Sequence, residues 1–397
     1  MSKNKSYEQR LSEVLKGLRK AAKDTGEHPS LVTAAQFKKA APTVTEWDLR
    51  SIGGLSAIKK THFPMTNKEL AKIQSDKKVR DYIAKLERDL GDKVNLKKEA
   101  LSSIETALKN LKPRKYRVPK KPNIKGLEMA IELMLSDIHF GKKTKEFDLE
   151  VLKKRLQKLT STFLHELKKK QKEGYNVNLI IISLIGDIIE SYTMHGSESA
   201  LSCEFGNSVQ MQQAIDCIFD YVLLPIAMTG IPIHVPMVAG NHDRTEKNRT
   251  FHNPGETYVT WVIYNCLKRY CQLSGLKNMT FDIPVDSFTT FDLFGKHTMM
   301  FEHLDNISSP TKKICEDLMK KRQKQIGKII KMLRGGHWHE YVCFDRGMVI
   351  INESACGQDS FAKVKGYASK AGQTINFYVN DDALPNGFLY SYPVHLE

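Results

Sequence analysis

Five short motifs, rich in histidine and acidic residues, each follow an apolar run of strand length. They are SDIH (136–139), GD (186–187), GNHD (240–243), His303 and GGHWH (335–339). Segments with helical spacing of apolar residues, such as 148–173 and 208–228, lie between the runs. Such alternation predicts an α/β domain with packed sheets and helices outside. Open α/β sheets bind ligands beyond the carboxyl ends of their strands, so we expect the five loops to converge on one cleft.

The residue types in these motifs predict a metal site. Aspartate, histidine and asparagine form a mixed oxygen and imidazole set, which suits manganese, iron or zinc and is poor for calcium. In an extended segment residues i and i+2 point the same way, so Asp137 should pair with His139, and His337 with His339. Glycines before Asp187, Asn241 and His337 would let the backbone turn tightly beside bound ions. Five of the 13 histidines lie in these loops.

The motifs D-x-H, G-D, G-N-H-D, H and G-H-x-H, in this order, resemble the calcineurin-like metallophosphoesterase superfamily over about residues 130–355. The segment VIINESACGQDSFAK (349–363) resembles the end of its phage and bacterial nuclease-like branch. The resemblance implies a β-sandwich flanked by helices that holds two divalent ions, manganese first, with iron, zinc or magnesium as alternatives. It implies that one ion is held by Asp137, His139, Asp187 and His339. It implies that the second is held by Asp187, Asn241, His303 and His337, with the Asp187 carboxylate bridging.

The same resemblance implies catalytic roles. A metal-activated hydroxide would attack the phosphoester, while the two ions stabilise the attacking and leaving oxygens. His242 would donate to the phosphoryl oxygen or protonate the leaving group, with Asp243 orienting its ring. The alternative for Asp243 is a salt bridge with Arg244. Glu190 is a candidate acceptor for a ligand histidine, and His195 is a candidate contact of the substrate phosphate.

Charge is distributed unevenly along the chain, whose formal net charge is +16. Residues 1–130 contain 30 basic and 15 acidic residues, whereas residues 131–397 contain 31 and 30. Such asymmetry suggests a polyanion-binding arm attached to a charge-balanced body. A solvated helical surface is the alternative interpretation.

The first third of the chain is predicted to be all-α. Residues 1–65 show three or four short helical patterns, which resemble a helix-turn-helix. The succession of HPS (28–30), TEWDLR (45–50) and IGGLSAIKK (52–60) also resembles a homing-endonuclease-associated DNA-binding repeat. We therefore interpret residues 1–65 as a small helical domain that could bind DNA.

Two segments connect this region to the body, residues 126–397. Residues 66–111 open with a capping box and predict a helical hairpin or arm, which could pair with itself, as in a homo-oligomer, or with a partner subunit. Residues 112–125 carry three prolines and seven basic residues, which predicts a semi-extended linker. This linker could lie along a phosphate backbone. Its candidate nucleic-acid contacts are Lys112, Arg114, Lys115, Tyr116, Arg117, Lys120 and Lys121.

The sequence also predicts a location. The longest apolar run, near residues 179–186, is far short of a membrane span, and the N-terminus lacks the apolar stretch of a signal peptide. All seven cysteines lie at or beyond Cys203, without a CxxC pair, which fits a reducing compartment. We expect a cytoplasmic protein without membrane contact, in the host cytoplasm if phage-encoded.

The leading hypothesis is a dinuclear metal-dependent phosphodiesterase that cleaves DNA. The metal motifs alone do not choose the substrate, and the basic arm favours nucleic acid. The alternatives are a small or cyclic nucleotide phosphodiesterase, whose arm only localises it, and a catalytically silent DNA-binding scaffold.

Overall fold

A computed structural model of the protein describes residues 5–65, 114–192, 194, 202–245, 253–357 and 370–397. The chain divides into two compact units, Met1–Glu99 and Ala100–Glu397. The predicted hairpin at residues 66–111, together with Lys112 and His195, lies outside the described residues. Among the described helices, none is long and apolar enough to cross a bilayer.

The described part of the N-terminal unit, residues 5–65, contains four helices, and the sequence predicted three or four there. They are α1 (Tyr7–Thr25), α2 (Ala34–Ala40), α3 (Glu46–Ser51) and α4 (Leu55–His62). Capping boxes at Ser6, Thr33 and Thr45 satisfy the first backbone N–H groups of α1, α2 and α3, and Gly26 ends α1 with a φ of 70°. The helices bury a small apolar core, which includes Val14, Leu18, Val32, Phe37, Ile52 and Ile58.

The first sheet of the second unit has six strands in the order β11-β10-β1-β2-β3-β4. Four strands are parallel: β1 (Glu128–Leu135), β2 (Asn176–Ile185), β3 (Ile233–Val238) and β4 (Met279–Asp282). On the other side of β1, β10 (Gly372–Val379) and β11 (Phe388–His395) add antiparallel strands. The parallel strands place their carboxyl ends at one edge, where the first three motifs follow.

The second sheet has five strands in the order β5-β6-β7-β9-β8. They are β5 (Phe288–Leu293), β6 (His297–Glu302), β7 (Met332–Gly335), β8 (Val342–Phe344) and β9 (Val349–Ile351). One apolar cluster joins the two sheets and includes Met134, Ile185, Met299, Phe301 and Ile350. The protein therefore has the predicted α/β architecture of two packed sheets.

Helices cover the outer faces of this sandwich. Alternate residues of β1, such as Met129 and Ile131, pack against α5 (Leu149–Lys172) and α6 (Asn207–Ile218). A π-helical segment (Phe219–Leu223) continues α6 into α7 (Leu224–Ala227). The helices α8 (Pro254–Thr257) and α9 (Val259–Leu273) precede β4. The helix α10 (Lys312–Ile326) packs on the second sheet.

A fully buried ion pair bridges the two sheets. Arg334 Nε on β7 lies 3.1 Å from Glu132 Oε2 on β1, and both side chains have no exposed surface. Ser183 Oγ, Asn376 Nδ2 and Tyr378 OH also donate to the Glu132 carboxylate. Because each charge has several partners, the pair satisfies its polar atoms without water.

Candidate metal centre

The seven predicted ligands lie together in the structure, in loops that follow β1, β2, β3, β6 and β7. His339 Nε2 lies 3.2 Å from Asp137 Oδ1 and 3.3 Å from His139 Nε2. On the other side of Asp187, His303 Nε2 lies 3.1 Å from Asp187 Oδ2 and 3.2 Å from the side-chain oxygen of Asn241. The sheet topology thus brings residues from five separate motifs into one cluster.

Asp187 belongs to two groups of possible ligands. The ligand atoms of Asp137, His139 and Asp187 all lie within 4.8 Å of one another, and so do those of Asp187, His303 and His337. Asp187 would therefore be shared by both ions if each group held one. This position is the one that the sequence predicted for a bridging ligand.

The charges of this cluster fit divalent cations. Burial raises the pKa of Asp137, but His339 and His303 outweigh it and lower the pKa to about 2. Burial lowers the pKa of His303, but Asp187 and Asp137 outweigh it and raise the pKa to about 10. The buried carboxylates of Asp137 and Asp187 therefore require neighbouring positive charge, which divalent ions would supply.

The imidazoles are also suited to binding metal. Burial lowers the pKa of His139 to about 4, and burial together with His303 lowers that of His337 to about 4, so both rings are neutral near neutral pH. His303 Nδ1 donates to the Ile185 carbonyl at 2.8 Å. This contact fixes the ring and turns Nε2 toward the cluster, where a bound ion would displace its proton.

Glu190 lies where the sequence predicted an acceptor for a ligand histidine. Its Oε2 is 2.8 Å from His139 Nδ1, on the side of the ring opposite the Nε2 atom that faces His339. Burial would raise the pKa of Glu190, but Lys142, 3.6 Å away, and His139 outweigh it and lower the pKa. Glu190 is therefore a charged partner of the His139 ring.

The backbone at the ligands differs from the sequence prediction. We expected Asp137 with His139, and His337 with His339, to share a direction because they alternate along an extended segment. Instead all four lie in loops with left-handed backbone, at φ values of 51°, 54°, 73° and 57°. Asp187 has the same conformation, with a φ of 50°. The extended-segment argument is therefore wrong, because each strand ends before its ligands and the turn itself aims them.

Gly240 allows a close approach to the bridging carboxylate. A Cβ atom at this position would lie 2.2 Å from Asp187 Oδ1 and 2.3 Å from the Asp187 nitrogen, which no side-chain rotation can relieve. The sequence reasoning attributed this glycine to a tight turn, but its φ is not positive. Its role is to leave space for Asp187.

We predict that Gly240→Ala weakens metal binding, because the added methyl group displaces the Asp187 carboxylate. Manganese titration of the full chain by calorimetry would show a lower affinity or a lower stoichiometry. Gly206→Ala is the matched control, since a Cβ atom at Gly206 meets nothing within 4 Å. Equal manganese binding by both variants and the unaltered chain would contradict this assignment.

Asp243 has a different role from the two that the sequence suggested. Its carboxylate accepts hydrogen bonds from the backbone nitrogens of Asp187 and Gly240, both at 2.8 Å, and from those of Ile188 and Ile189, at 3.0 and 3.3 Å. Arg244 pairs instead with Asp305. Both oxygens of Asp243 are thus engaged by backbone donors, and this residue joins the second and third motif loops rather than orienting His242.

The ring of His242 is oriented by Glu190. His242 Nδ1 donates to the backbone carbonyl of Glu190 at 2.7 Å, and the backbone nitrogen of His242 donates to Asp187 Oδ1 at 2.8 Å. The His242 ring lies edge-on to the His139 ring, with centroids 4.7 Å apart. His242 therefore borders the metal cluster, in contact with two predicted ligands, Asp187 and His139, and with Glu190.

Sequence reasoning missed Cys356. Its sulfur lies within 4.8 Å of the ring nitrogens of His139 and His339. The segment Ser354–Cys356 follows β9, so the same strand-end signal that identified the motifs could have found it. Sequence reasoning also missed Lys142, whose buried ammonium group lies beside Glu190.

The basic linker lies away from the metal cluster. The backbone nitrogen of Tyr116 donates to Ser274 at the end of α9, and Lys115 Nζ donates to the Leu273 carbonyl. The Pro119 carbonyl lies against Gly230, which precedes β3. The linker therefore follows the amino-terminal edge of the first sheet, about 20 Å from the metal edge, since a six-residue strand spans that length. Its exposed cations include Arg114, Arg117 and Lys120.

Comparisons with known proteins agree with this architecture. The calcineurin-like phosphoesterase family profile matches residues 133–353, more than half of the chain. None of the curated proteins matches the chain.

Several solved structures are similar to the chain. A novel archaeal phosphodiesterase is 12% identical, with a TM-score of 0.30, over 67% of this chain and 99% of that one. Zinc-bound Vps29 from Entamoeba histolytica is 12% identical, with a TM-score of 0.28, over 67% and 99%. The 5'-nucleotidase from Candida albicans SC5314 is 11% identical, with a TM-score of 0.32, over 71% and 54%.

The profile match covers all seven predicted ligands, and the structure gathers them at the edges of two packed sheets. The chain therefore belongs to the calcineurin-like phosphoesterase family.

Proposed function

We propose that this protein is a dinuclear metal-dependent phosphodiesterase whose substrate is DNA. The observation that carries the dinuclear part is the position of Asp187 in two adjoining ligand groups. Asp137, His139 and His339 would complete the first metal site, and Asn241, His303 and His337 the second. When bound, the two ions would activate water and neutralise charge on the phosphoryl group.

His242 would complete the chemistry as a proton donor. Its Nδ1 is committed to the Glu190 carbonyl, so the proton transferred to substrate must be held at Nε2. Protonated at both nitrogens, the ring would donate from Nε2 to a phosphoryl oxygen or to the leaving oxygen. Glu190 Oε2, 3.7 Å from Nδ1, would stabilise that imidazolium.

DNA is proposed as the substrate because of the basic N-terminal region. The described helical region, residues 5–65, has 11 basic and six acidic side chains, and the linker adds exposed cations. A contact between the linker and DNA would lie about 20 Å from the metal cluster, which is the length of about six base pairs of DNA. Such contacts would position the nucleic acid without touching the phosphate that is cut. We also propose that the chain belongs to the nuclease-like branch of the family, because residues 349–363 resemble the end of that branch.

One observation favours a second candidate, a small or cyclic nucleotide phosphodiesterase. The linker cations lie at the sheet edge opposite the metals, where they cannot contact a small substrate in the cluster. The basic region would then act only in localisation. A silent scaffold is disfavoured, because a scaffold requires none of the seven ligands that the structure gathers.

The deciding experiment is manganese-dependent cleavage of labelled single- and double-stranded DNA by the full chain, compared with cyclic dinucleotides and bis-p-nitrophenyl phosphate. Cleavage of DNA supports the proposal. Turnover of the small diesters without DNA cleavage supports the second candidate. Two bound ions without turnover of any ester would support the scaffold.

We predict that neutralising exposed cations of the basic region weakens DNA cleavage selectively. The variant carries glutamine at Lys16, Lys20, Lys23, Arg114, Arg117 and Lys120. Its slope of log activity against log salt should become shallower by about one for each DNA phosphate that the variant no longer neutralises. Hydrolysis of bis-p-nitrophenyl phosphate by the same variant is the control and should be unchanged. An unchanged salt slope would mean that these cations do not contact the substrate.

A further inference from the structure

Cys356 adds a third donor beside two of the metal ligands. Its Sγ and the ring nitrogens of His139 and His339 all lie within 4.8 Å of one another. The two Nε2 atoms are 3.3 Å apart, and the sulfur belongs to a side chain that is only 6% exposed. Among the described residues, Cys356 is the one cysteine that falls in a group able to hold a metal.

The backbone fixes the position of Cys356 relative to the first motif. The backbone nitrogen of Ala355 donates to the Asp137 carbonyl at 3.1 Å, and Ser354 Oγ donates to the same carbonyl at 2.9 Å. The residue next to this anchor is Cys356, so its backbone is held beside the predicted ligand Asp137. Its approach to the cluster is therefore part of the folded structure.

Arg155 and Ser354 lie close to Cys356, and the thiolate is the form of cysteine that binds metal. Arg155 donates to the Ala355 carbonyl at 2.8 Å, and its guanidinium group interacts electrostatically with Cys356. Ser354 Oγ, whose proton is directed at the Asp137 carbonyl, lies 2.9 Å from Sγ and accepts from the Cys356 backbone nitrogen at 3.2 Å.

We propose that Cys356 is a thiolate ligand of the ion held by His139 and His339, and that it makes this half of the centre selective for zinc. Thiolates favour zinc over the harder manganese and magnesium ions. The thiol proton would be released to solvent as the metal–sulfur bond forms. This inference rests on the proposed two-metal site and gives its two halves different metal preferences.

The test uses the full chain loaded with cobalt(II), a spectroscopic substitute for zinc. The unaltered protein should bind two cobalt ions and show a thiolate-to-cobalt charge-transfer band in the near ultraviolet. Cys356→Ser should lose the band, while Cys343→Ser, which changes an exposed cysteine, should keep it. Zinc affinity of Cys356→Ser, measured by competition with a chromophoric chelator, should fall about ten-fold or more, with manganese affinity unchanged.

The outcomes separate this inference from the proposed function. Two bound cobalt ions without a charge-transfer band would overturn the thiolate ligand and leave the dinuclear site intact. A band that persists in Cys356→Ser would also overturn it. Failure to bind cobalt would contradict the dinuclear site itself. If Cys356→Ser does not fold, zinc X-ray absorption of the unaltered chain decides, since a sulfur neighbour lies about 2.3 Å from zinc.

Discussion

Asp187→Asn should abolish phosphodiester hydrolysis and reduce the bound metal from two ions to one or none per chain. The substitution keeps the shape of the side chain and an oxygen that can accept from the His242 backbone nitrogen. It removes the negative charge that both ligand groups share. The measurement is metal content by mass spectrometry after dialysis, together with the rate of bis-p-nitrophenyl phosphate hydrolysis.

The control for Asp187→Asn is His242→Ala, which removes the proposed proton donor and leaves every proposed ligand in place. We expect kcat to fall by about 10²- to 10⁴-fold, the usual contribution of general acid catalysis, with two ions still bound. Full metal content in Asp187→Asn, or loss of metal in His242→Ala, would reverse the roles assigned to these two residues.

Arg334→Met should destabilise the phosphoesterase unit by about 3–5 kcal/mol, because it leaves the Glu132 carboxylate buried without its cation. Glu132 has no exposed surface, and its remaining partners Ser183, Asn376 and Tyr378 are neutral donors. Urea unfolding of the full chain, followed by tryptophan fluorescence, measures the change.

A matched double variant tests the electrostatic cause. Arg334→Met combined with Glu132→Met removes both charges, and buried ion pairs can often be replaced by apolar residues with little loss of stability. The double variant should therefore be more stable than Arg334→Met alone. Equal destabilisation of the two would show that poorer packing, rather than an unpaired charge, is responsible.

The site was predictable from the sequence because its signal is local. Each motif follows a strand that is apolar enough to identify, and parallel topology fixes which ends meet. The first helical unit was predictable for the same reason, since its capping residues, such as Thr45 with Asp48, lie within one turn. Local patterns therefore predicted which residues gather at the centre.

What the sequence did not predict depends on contacts between distant segments. The strand β10 carries Gln373, Thr374 and Asn376 on buried positions, so it lacks the alternation that identifies a half-exposed strand. These polar residues are buried because they bond across the sheet: Asn376 donates to Glu132 and Gln373 accepts from the Ser136 nitrogen. The four backbone partners of Asp243 are likewise visible only after the loops have met.

We expect the left-handed backbone at five predicted ligands to link metal supply to folding; these residues are Asp137, His139, Asp187, His337 and His339. Each such non-glycine conformation costs of the order of 1–3 kcal/mol, which the surrounding structure must offset. Ions that bind only the folded chain would supply part of that stabilisation, by an amount that grows with their free concentration. A cell that runs short of the metal would therefore hold less of this protein in its folded form, so that its abundance and its activity would fall together.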